Sequence, residues 1–318
     1  MFKNISPEAA APLLALLWLI VITLLHYGVT GQTHTKQRLK VGYLPITCHL
    51  LLPVAMERDG FFKENVDPIR FSSWPDMIES VKGNELDCAF ILAPIAISLM
   101  DQSVPVVIAL LGHRNGTGLV VAKNSGISSV KDFVGKTFAI PIRYSTQNMA
   151  LLMLLGKNGI AVDKVNRVEL PPPDMPSALA SNSIDGYIVG EPYATQALIM
   201  GKGIIFKNSS DIWPNFISSL LIVNKDSLSK KRNLIDRFIR GLKRQGKWIE
   251  ANRKKAADIG ADFFGLNRDL VEQVLTARRV SYLDIVPRQR ELDEIGKMMV
   301  QWHLLKKVPK IGIYTSWQ

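Results

Sequence analysis

The chain has 318 residues, of which 47% are hydrophobic, so it is long enough for two domains of ordinary size whose cores need no disulfide framework. The net charge is +11, yet the sequence contains no zinc-ligand spacing, RNA-binding signature or recognition-helix pattern, and nucleic-acid binding is not predicted. Between Lys225 and Lys310 there are 21 lysines and arginines against 11 acidic residues, which a solvated basic face or attraction to an anionic membrane would explain.

An almost wholly apolar run extends from Ala9 to Leu25, and Lys3 precedes it. Its length lies between the core of a signal peptide and a short transmembrane helix. Residues 1–37 are therefore predicted to be a signal peptide or a membrane anchor, followed by a linker. Because the cleavage sequence Val29–Gly31 is weak, cleavage and anchoring both stay open. Either outcome places the rest of the chain in the periplasm or at the outer face of the inner membrane.

From Leu39 onward, short apolar runs typical of buried strands alternate with helical segments, as expected for an α/β fold. The predicted strands are Leu39–Leu44, Ile69–Phe71, Cys88–Ile91, Val106–Leu111, Leu119–Ala122, Thr137–Ile140, Val165–Leu170, Tyr187–Val189, Ile204–Phe206 and Ser218–Val223. The predicted helices are Leu50–Glu57, Trp74–Val81, Ser129–Phe133, Gln147–Lys157, a short one from Asp174, Tyr193–Met200, Lys230–Asn252, Arg253–Phe263, Arg268–Ala277 and Gln289–Trp302. The dipeptide Asp59-Gly60 is predicted to end the first of these helices before Phe61-Phe62, and Ala93-Pro94 is predicted to be a turn.

Two stretches, one beginning at Trp74 and the other at Asp174, share a pattern. In each, a helix opens with Pro, Asp and Met, and a turn, an Asp, a buried strand and a Pro-containing loop follow. Such duplication predicts two α/β lobes that face each other across a cleft, with residues 38–115 and 219–318 in lobe 1 and residues 116–218 in lobe 2. A single sheet with two similar crossover units is the alternative. The glycine-rich loop Gly112–Gly118 suits a crossing between lobes.

Several loops at predicted strand ends carry polar side chains. Ser145 or Thr146 can cap the helix that begins at Gln147, and the free N–H groups of that helix start, near Arg143, form a candidate anion site; an ordinary capped loop is the alternative. His49 and His113 could both reach the cleft, but no third ligand is evident, so no metal site is predicted. The two cysteines, Cys48 and Cys88, should lie about a strand length apart and are expected to be free thiols.

Four motifs follow one another along the chain: Val41–Thr47, Trp74-Pro75 with Gly83–Asp87, Gly112-His113-Arg114, and Asp185–Tyr193, which includes Gly190-Glu191-Pro192. In type and order they resemble the solute-binding proteins of ABC importers for nitrate, bicarbonate, alkanesulfonates and taurine. The resemblance implies a periplasmic binding fold of the second topological type and capture of a small anion or polar solute by lobe closure. It also implies partnership with a membrane permease and a separate ATPase, because this chain has no P-loop. Neither a cofactor nor catalysis is expected.

In the nitrate and bicarbonate branch, ligand contacts come from loops that match Trp74, Gln147 and Gly190, and the loop Thr47-Cys48-His49 faces the cleft. This chain departs from that branch at Cys48-His49 and at Arg143-Tyr144, which leaves the identity of the anion open. The predicted ligand-binding residues are Thr47, Cys48, His49, Trp74, His113, Arg143, Ser145, Thr146, Gln147, Gly190 and Glu191.

A different class within the resemblance binds or makes the pyrimidine of thiamine. The synthase of that class carries a cysteine-rich cluster for iron, whereas this chain has two separated cysteines. A thiamine-pyrimidine-binding protein or enzyme therefore stays as the alternative function. A transcriptional regulator is not predicted, because an apolar segment and not a helix-turn-helix precedes the α/β region.

Overall fold

The computed structural model describes residues 16–24 and 37–318. Residues 16–24 are helical, and their side chains are exposed. In those two described ranges, no helix combines the length and the apolar character that crossing a membrane requires. The remainder of the apolar run Ala9–Leu25 lies outside the described residues, as does the linker up to residue 36, so the export or anchor segment stays a prediction.

Most strands of the α/β region follow the predicted apolar runs, but the second spans Val66–Arg70 and not Ile69–Phe71, and two short strands were not predicted. The strands are β1 Leu39–Tyr43, β2 Val66–Arg70, β3 Cys88–Leu92, β4 Val106–Leu111, β5 Arg114–Asn115, β6 Thr117–Ala122, β7 Thr137–Ile140, β8 Asn166–Glu169, β9 Gly186–Gly190, β10 Gly203–Asn208, β11 Ser219–Asn224 and β12 Val280–Ser281. The helices in the same region are α1 Leu51–Arg58, α2 Gly60–Asn65, α3 Trp74–Lys82, α4 Ala93–Asp101, α5 Thr146–Lys157, α6 Met175–Ala180, α7 Tyr193–Ile199, α8 Ser209–Ile212, α9 Lys225–Ala251, α10 Arg253–Phe264, α11 Arg268–Thr276 and α12 Gln289–Gln301. The segment predicted as a helix at Ser129–Phe133 is a 3₁₀ turn, Val130–Phe133.

The strands form two five-stranded sheets, β2-β1-β3-β11-β4 and β8-β7-β9-β6-β10, and a two-stranded ribbon of β5 and β12. Within each sheet the first three strands are parallel, and the fourth runs antiparallel to its neighbours. That fourth strand, β11 or β6, is the one that arrives from the other sheet. The two halves therefore repeat one strand order, and the alternative of a single sheet is wrong.

The predicted lobes are used below as names: lobe 1 for residues 38–115 with 219–318, and lobe 2 for residues 116–218. Strands β1 to β4 and β11 belong to the first sheet, and β6 to β10 belong to the second. Residues 39–318 nevertheless pack as one compact unit, so the bounds of the lobes remain a prediction.

Asp59-Gly60 ends α1 as predicted, and both this dipeptide and the predicted turn Ala93-Pro94 also begin a further helix. The carboxylate of Asp59 accepts a 3.0 Å hydrogen bond from the N–H of Phe61 and thereby caps α2, so the chain starts a second helix where the first one ends. Pro94 occupies the first turn of α4, where its missing N–H costs nothing. The turn predicted at Ala93-Pro94 was wrong, because a residue type that breaks a helix can also begin one.

Arg114 holds together the two segments that cross between the sheets. This side chain is 6% exposed, and its guanidinium donates to the backbone carbonyl of Asn215 at 3.2 Å in the second crossing segment. It also donates to the carbonyl of Asp284 at 2.6 Å and forms a 2.9 Å ion pair with Glu291 at the start of α12. One buried arginine thus ties both crossings to the C-terminal region.

Candidate functional site

A small cavity lies where the carboxyl ends of the strands of the two lobes meet. The space left between its walls holds about one water molecule. None of its lining residues carries a charged side chain. The lining residues are Ile46, Cys48, Trp74 and Leu92 from lobe 1, Pro141, Gln147, Pro172, Val189 and Gly190 from lobe 2, and Ser218 at the end of the second crossing segment.

Trp74 forms the lobe 1 wall of the cavity. Its position is set by the start of α3, where the hydroxyl of Ser73 accepts a 3.3 Å hydrogen bond from the N–H of Asp76. The indole ring is 3% exposed and packs edge-on against the imidazole of His49, with 6.0 Å between ring centroids. Its Nε1–H is buried and meets no hydrogen-bond acceptor among the described residues. A donor without a partner therefore belongs to a residue of the cavity wall.

The start of α5 forms the opposite wall. The hydroxyl of Ser145 caps this helix by accepting a 3.1 Å hydrogen bond from the N–H of Asn148, as the sequence predicts. The amide Nε2 of Gln147 donates to the Oγ of Ser218 at 2.9 Å, which orients the side chain across the crossing segment. The Oε1 of Gln147 and the hydroxyl of Thr146 are both buried without a partner in the described part of the chain. This wall can therefore both donate and accept hydrogen bonds.

Gly190 and Cys48 bring the two walls into contact. A Cβ atom on Gly190 would lie 3.2 Å from the Sγ of Cys48, a tight contact, and 3.9 Å from the Nε2 of Gln147, an ordinary one, so a larger residue would push first on the sulfur. Burial raises the pKa of the Cys48 thiol to about 12, and the group is neutral at any ordinary pH. Cys48 and Cys88 are both free and buried, which confirms the prediction of two free thiols.

Thr47 and Glu191 link the lobes beside the cavity and are not part of its lining. The backbone N–H and the hydroxyl of Thr47 both donate to the carbonyl of Glu191, at 3.3 Å and 2.6 Å. The carboxylate of Glu191 is 1% exposed; it accepts from the N–H of Thr195 at 2.9 Å and forms a 3.2 Å ion pair with Arg279. Burial raises the pKa of Glu191, and Arg279 and Thr195 oppose that rise. Its carboxylate is thus engaged by the protein itself.

The two candidate histidines are fully buried and lie outside the cavity lining. The Nδ1 of His49 is 2.9 Å from the N–H of Leu44, while its Nε2 and both ring nitrogens of His113 lack partners among the described residues. Burial lowers the pKa of His49 to about 3 and that of His113 to about 4, so both are neutral. Within residues 16–24 and 37–318, no group of three potential ligand side chains is placed to hold a metal ion.

Arg143 is exposed, and what holds it in place is its backbone: its N–H donates to Glu169 at 2.6 Å. Four of the predicted residues, Cys48, Trp74, Gln147 and Gly190, therefore line the cavity, and the other seven surround it or lie outside it. Sequence reasoning missed Ser218, although its position just before the returning strand β11 places it at a crossing. The roles of all these residues in binding stay predictions.

Comparisons with known proteins identify the relatives of this chain. The profile of the NMT1-like family matches residues 32–261. The nitrate import ATP-binding protein NrtC of Synechocystis sp. is 30% identical over 222 residues, covering 63% of this chain and 33% of that protein. A putative aliphatic sulfonates-binding protein of Bacillus subtilis is 26% identical over 282 residues, covering 83% and 82%. The chain spans about a third of the length of the first curated relatives that it matches.

Solved structures share the fold. The ligand-binding component of an ABC-type import system from Staphylococcus aureus, with zinc bound, is 25% identical with a TM-score of 0.80, over 88% of this chain and 97% of that one. The periplasmic nitrate-binding protein NrtA from Synechocystis PCC 6803 is 16% identical with a TM-score of 0.74, over 85% and 82%. The predicted two-sheet α/β periplasmic binding fold is therefore confirmed for the described α/β region.

Proposed function

This chain belongs to the NMT1-like family, and from that membership we propose that it is the extracytoplasmic solute-binding component of an ABC importer. It captures a small anion or compact polar solute, of the nitrate, bicarbonate, sulfonate or taurine kind, between two lobes that close over it. The curated and solved relatives named above include proteins described as nitrate-binding and as sulfonates-binding, and they support this class of ligand.

The observation that carries the proposal is the cavity between the lobes. Each lobe supplies a residue whose buried polar atom has no partner in the described chain: Trp74 with its Nε1–H and Gln147 with its Oε1. Burying a polar group without a hydrogen bond costs about 1–3 kcal/mol, and a ligand that satisfies both groups recovers this cost. Because one of these polar atoms belongs to each lobe, a single ligand can hydrogen-bond to both of them only when the two lobes close on it.

The absence of a charged side chain in the lining decides how an anion would be held. The helix start at Thr146 offers free backbone N–H groups and the positive end of the dipole of α5. The indole N–H of Trp74 and the hydroxyl of Thr146 add neutral donors. An anion bound in this way keeps its own charge, and the protein contributes fixed dipoles in a site that excludes water. The exposed Arg143 contributes at most long-range attraction.

The partners follow from the same assignment. A membrane permease receives the solute, and a separate ATPase drives transport; this chain binds without converting its ligand and needs no cofactor. Its place is the periplasm or the outer face of the inner membrane, to which residues 1–37 deliver or attach it. These statements are proposals, since the first curated relatives are matched over only about a third of their length.

The thiamine pyrimidine remains the second candidate ligand, and the NMT1-like family match supports it weakly. An aromatic ring would find the indole of Trp74 on one side and the pyrrolidine rings of Pro141 and Pro172 on the other, all of which line the cavity. Because the present cavity holds about one water molecule, each candidate solute requires a wider separation of the lobes, and a pyrimidine requires more than nitrate does.

One experiment separates these candidates. The purified full chain is analysed by native mass spectrometry for any solute that co-purifies, and its melting is followed with nitrate, bicarbonate, methanesulfonate, taurine and an aminopyrimidine. A true ligand at a hundred times its dissociation constant stabilises the fold by about 2.7 kcal/mol. Stabilisation by an anion supports the first candidate, and stabilisation by the pyrimidine alone supports the second. If no solute co-purifies and none stabilises, the proposal is wrong.

A further inference from the structure

The long helix α9 has two opposite faces. Its buried face carries the apolar residues Ile235, Phe238, Leu242 and Ile249. The opposite face carries the basic residues Arg237, Arg240, Arg244 and Lys247, which are all exposed. Their spacing of three, four and three residues keeps them on one side of the helix. We call these four residues the basic face; the backbone kink at Lys231 lies before it.

The charges of the basic face are largely unpaired. Among the described residues, only Arg244 forms an ion pair, at 3.1 Å with Asp59. Of the acidic groups of α9, Asp226 is in the first turn, before the basic face, and Asp236, one turn before Arg240, accepts a 2.6 Å hydrogen bond from a tyrosine hydroxyl. Glu250 pairs with an arginine of the next helix. Four cations therefore share one face, and one of them has a carboxylate partner.

Neutral groups order two cations of the basic face, Arg237 and Arg240, without neutralising them. The guanidinium of Arg237 lies 4.3 Å from the ring centroid of Phe61, and that of Arg58, on the adjoining α1, lies 3.8 Å from the ring of Trp248. Arg240 donates to the backbone carbonyl of Trp317 at 3.2 Å. Stacking on a ring or donating to a carbonyl orders a cation while its full charge persists. The face is thus ordered and remains strongly positive.

We propose that the basic face of α9 binds the anionic phospholipid surface of a membrane. From Arg237 to Lys247 the face extends about 15 Å along a regular helix, at 1.5 Å per residue. A row of four exposed cations, one of which has a carboxylate partner, matches a flat anionic surface, and each lysine or arginine close to such a surface contributes about 1 kcal/mol. None of the four residues lines the cavity, so this contact leaves the proposed solute site free.

The entry point of the chain into lobe 1 supports a membrane over other polyanions. The backbone N–H of Lys40, in β1, donates to Asp87 at 2.8 Å, and Asp87 also pairs at 2.9 Å with Lys231 in α9. The α/β region therefore begins beside α9, and the apolar run Ala9–Leu25 precedes that point in the sequence. The predicted export or anchor segment therefore leads into lobe 1 next to the N-terminal part of α9, at the kink that precedes the basic face.

The test uses the full chain and vesicles of phosphatidylcholine with and without phosphatidylglycerol, at low and high salt. In the test variant, Arg237→Gln, Arg240→Gln and Lys247→Gln are combined. A matched control combines Lys123→Gln, Lys131→Gln and Lys164→Gln, which are exposed residues of lobe 2 with the same total charge. A second control, Arg237→Lys with Arg240→Lys and Lys247→Arg, keeps the charge of the face.

We expect the wild-type chain to partition onto phosphatidylglycerol vesicles in a salt-sensitive way. The test variant should lose about a hundredfold in partition coefficient, about fivefold for each cation, while both controls keep their binding. Melting curves identify any variant that fails to fold, and the charge-preserving control reports whether these sites tolerate substitution. Wild-type binding that phosphatidylglycerol does not increase would overturn the proposal, and so would an equal loss in the lobe 2 control. An acidic protein partner would then be the explanation to pursue.

Discussion

The hydroxyl of Thr47 donates a 2.6 Å hydrogen bond to the backbone carbonyl of Glu191, and this bond joins the loop after β1 to the loop after β9. On the other side of the same loop, Arg279 holds the carboxylate of Glu191, and the hydroxyl of Tyr282 donates to the carbonyl of Thr47 at 2.7 Å. The contact between lobes is therefore fixed by groups that do not line the cavity. This leaves Trp74 and Gln147 available for a ligand.

The substitution Gln147→Ala should weaken solute binding by about ten- to a hundredfold, because a hydrogen bond to a charged ligand contributes about 1.5–3 kcal/mol. The chain without ligand should also lose about 1 kcal/mol of unfolding free energy, since the amide donates to Ser218. Calorimetry with the solute identified by thermal shift measures the first effect. Gln273→Ala, on the exposed surface of α11, is the control. Unchanged affinity would exclude the start of α5 from the site.

The substitution Gly190→Ala should lower affinity, because the new Cβ would lie 3.2 Å from the Sγ of Cys48 and oppose the approach of the two walls. Gly190→Val should lower affinity more. Removing the sulfur in the double variant Gly190→Ala with Cys48→Ala should restore part of the loss, and a double-mutant cycle by calorimetry measures that coupling. Purely additive effects would mean that the two residues do not meet when the solute is bound.

The substitution Arg114→Met should lower the free energy of unfolding by roughly 3 kcal/mol, because it leaves Glu291 without its buried partner and two carbonyls without a donor. Urea denaturation measures the change. Arg288→Met is the matched control, since this residue also pairs with Glu291 but is 56% exposed, and its loss should cost less than about 1 kcal/mol. Similar costs for the two variants would contradict the role of Arg114 at the crossings.

Stability should fall as the pH drops below about 6.5, the ordinary pKa of histidine. In the folded chain, burial lowers the pKa of His49 to about 3 and that of His113 to about 4. Between pH 6.5 and the lowered pKa of each histidine, the unfolded chain binds a proton that the folded chain does not. Each histidine therefore lowers the free energy of unfolding by up to about 1.4 kcal/mol per pH unit over that range. Urea denaturation across this range gives the slope. His113→Gln should reduce it, whereas the exposed His303→Gln should not; equal slopes in both variants would refute the assignment.

Residues 1–37, fused to a reporter enzyme, should carry that reporter across the inner membrane. The reason is the apolar run Ala9–Leu25, because an apolar segment of this length preceded by a lysine is typical of a signal peptide or membrane anchor. The control replaces Leu17 and Ile20 with arginine, which interrupts the apolar run. Reporter activity found only in the cytoplasm for the natural segment would remove the extracytoplasmic assignment.

Much of the fold could be predicted from the sequence because buried parallel strands are short apolar runs. Thr137–Ile140 and Val106–Leu111 occur with the predicted bounds, and the repeated pattern at Trp74 and Asp174 predicted the two facing sheets. The helices α2 and α4 could not be predicted in the same way. Asp-Gly and Ala-Pro are compatible with both a turn and a helix start, and only the tertiary fold selects between them.

The position of the candidate site could be predicted from the sequence, whereas the directions of its side chains could be predicted less well. Gly190 and Gln147 line the cavity because the end of a strand and the start of the helix that follows a strand both lie at that edge of the sheet. His113 and Arg143 belong to loops at the same level, yet one is buried away from the cavity and the other points into solvent. The sequence places a loop at a sheet edge, whereas side-chain direction depends on packing between distant segments.

Each sheet includes one strand that arrives from the other lobe, and this affects the order in which the two sheets can fold. All the strands of the second sheet come from one continuous stretch, Thr117 to Asn208, whereas the first sheet needs β11 between β3 and β4. Until Ser219–Asn224 is in place, those two strands present unpaired edges to any neighbouring chain. The N-terminal half of the protein therefore depends on its later half for protection against aggregation, and lobe 2 can form its sheet first.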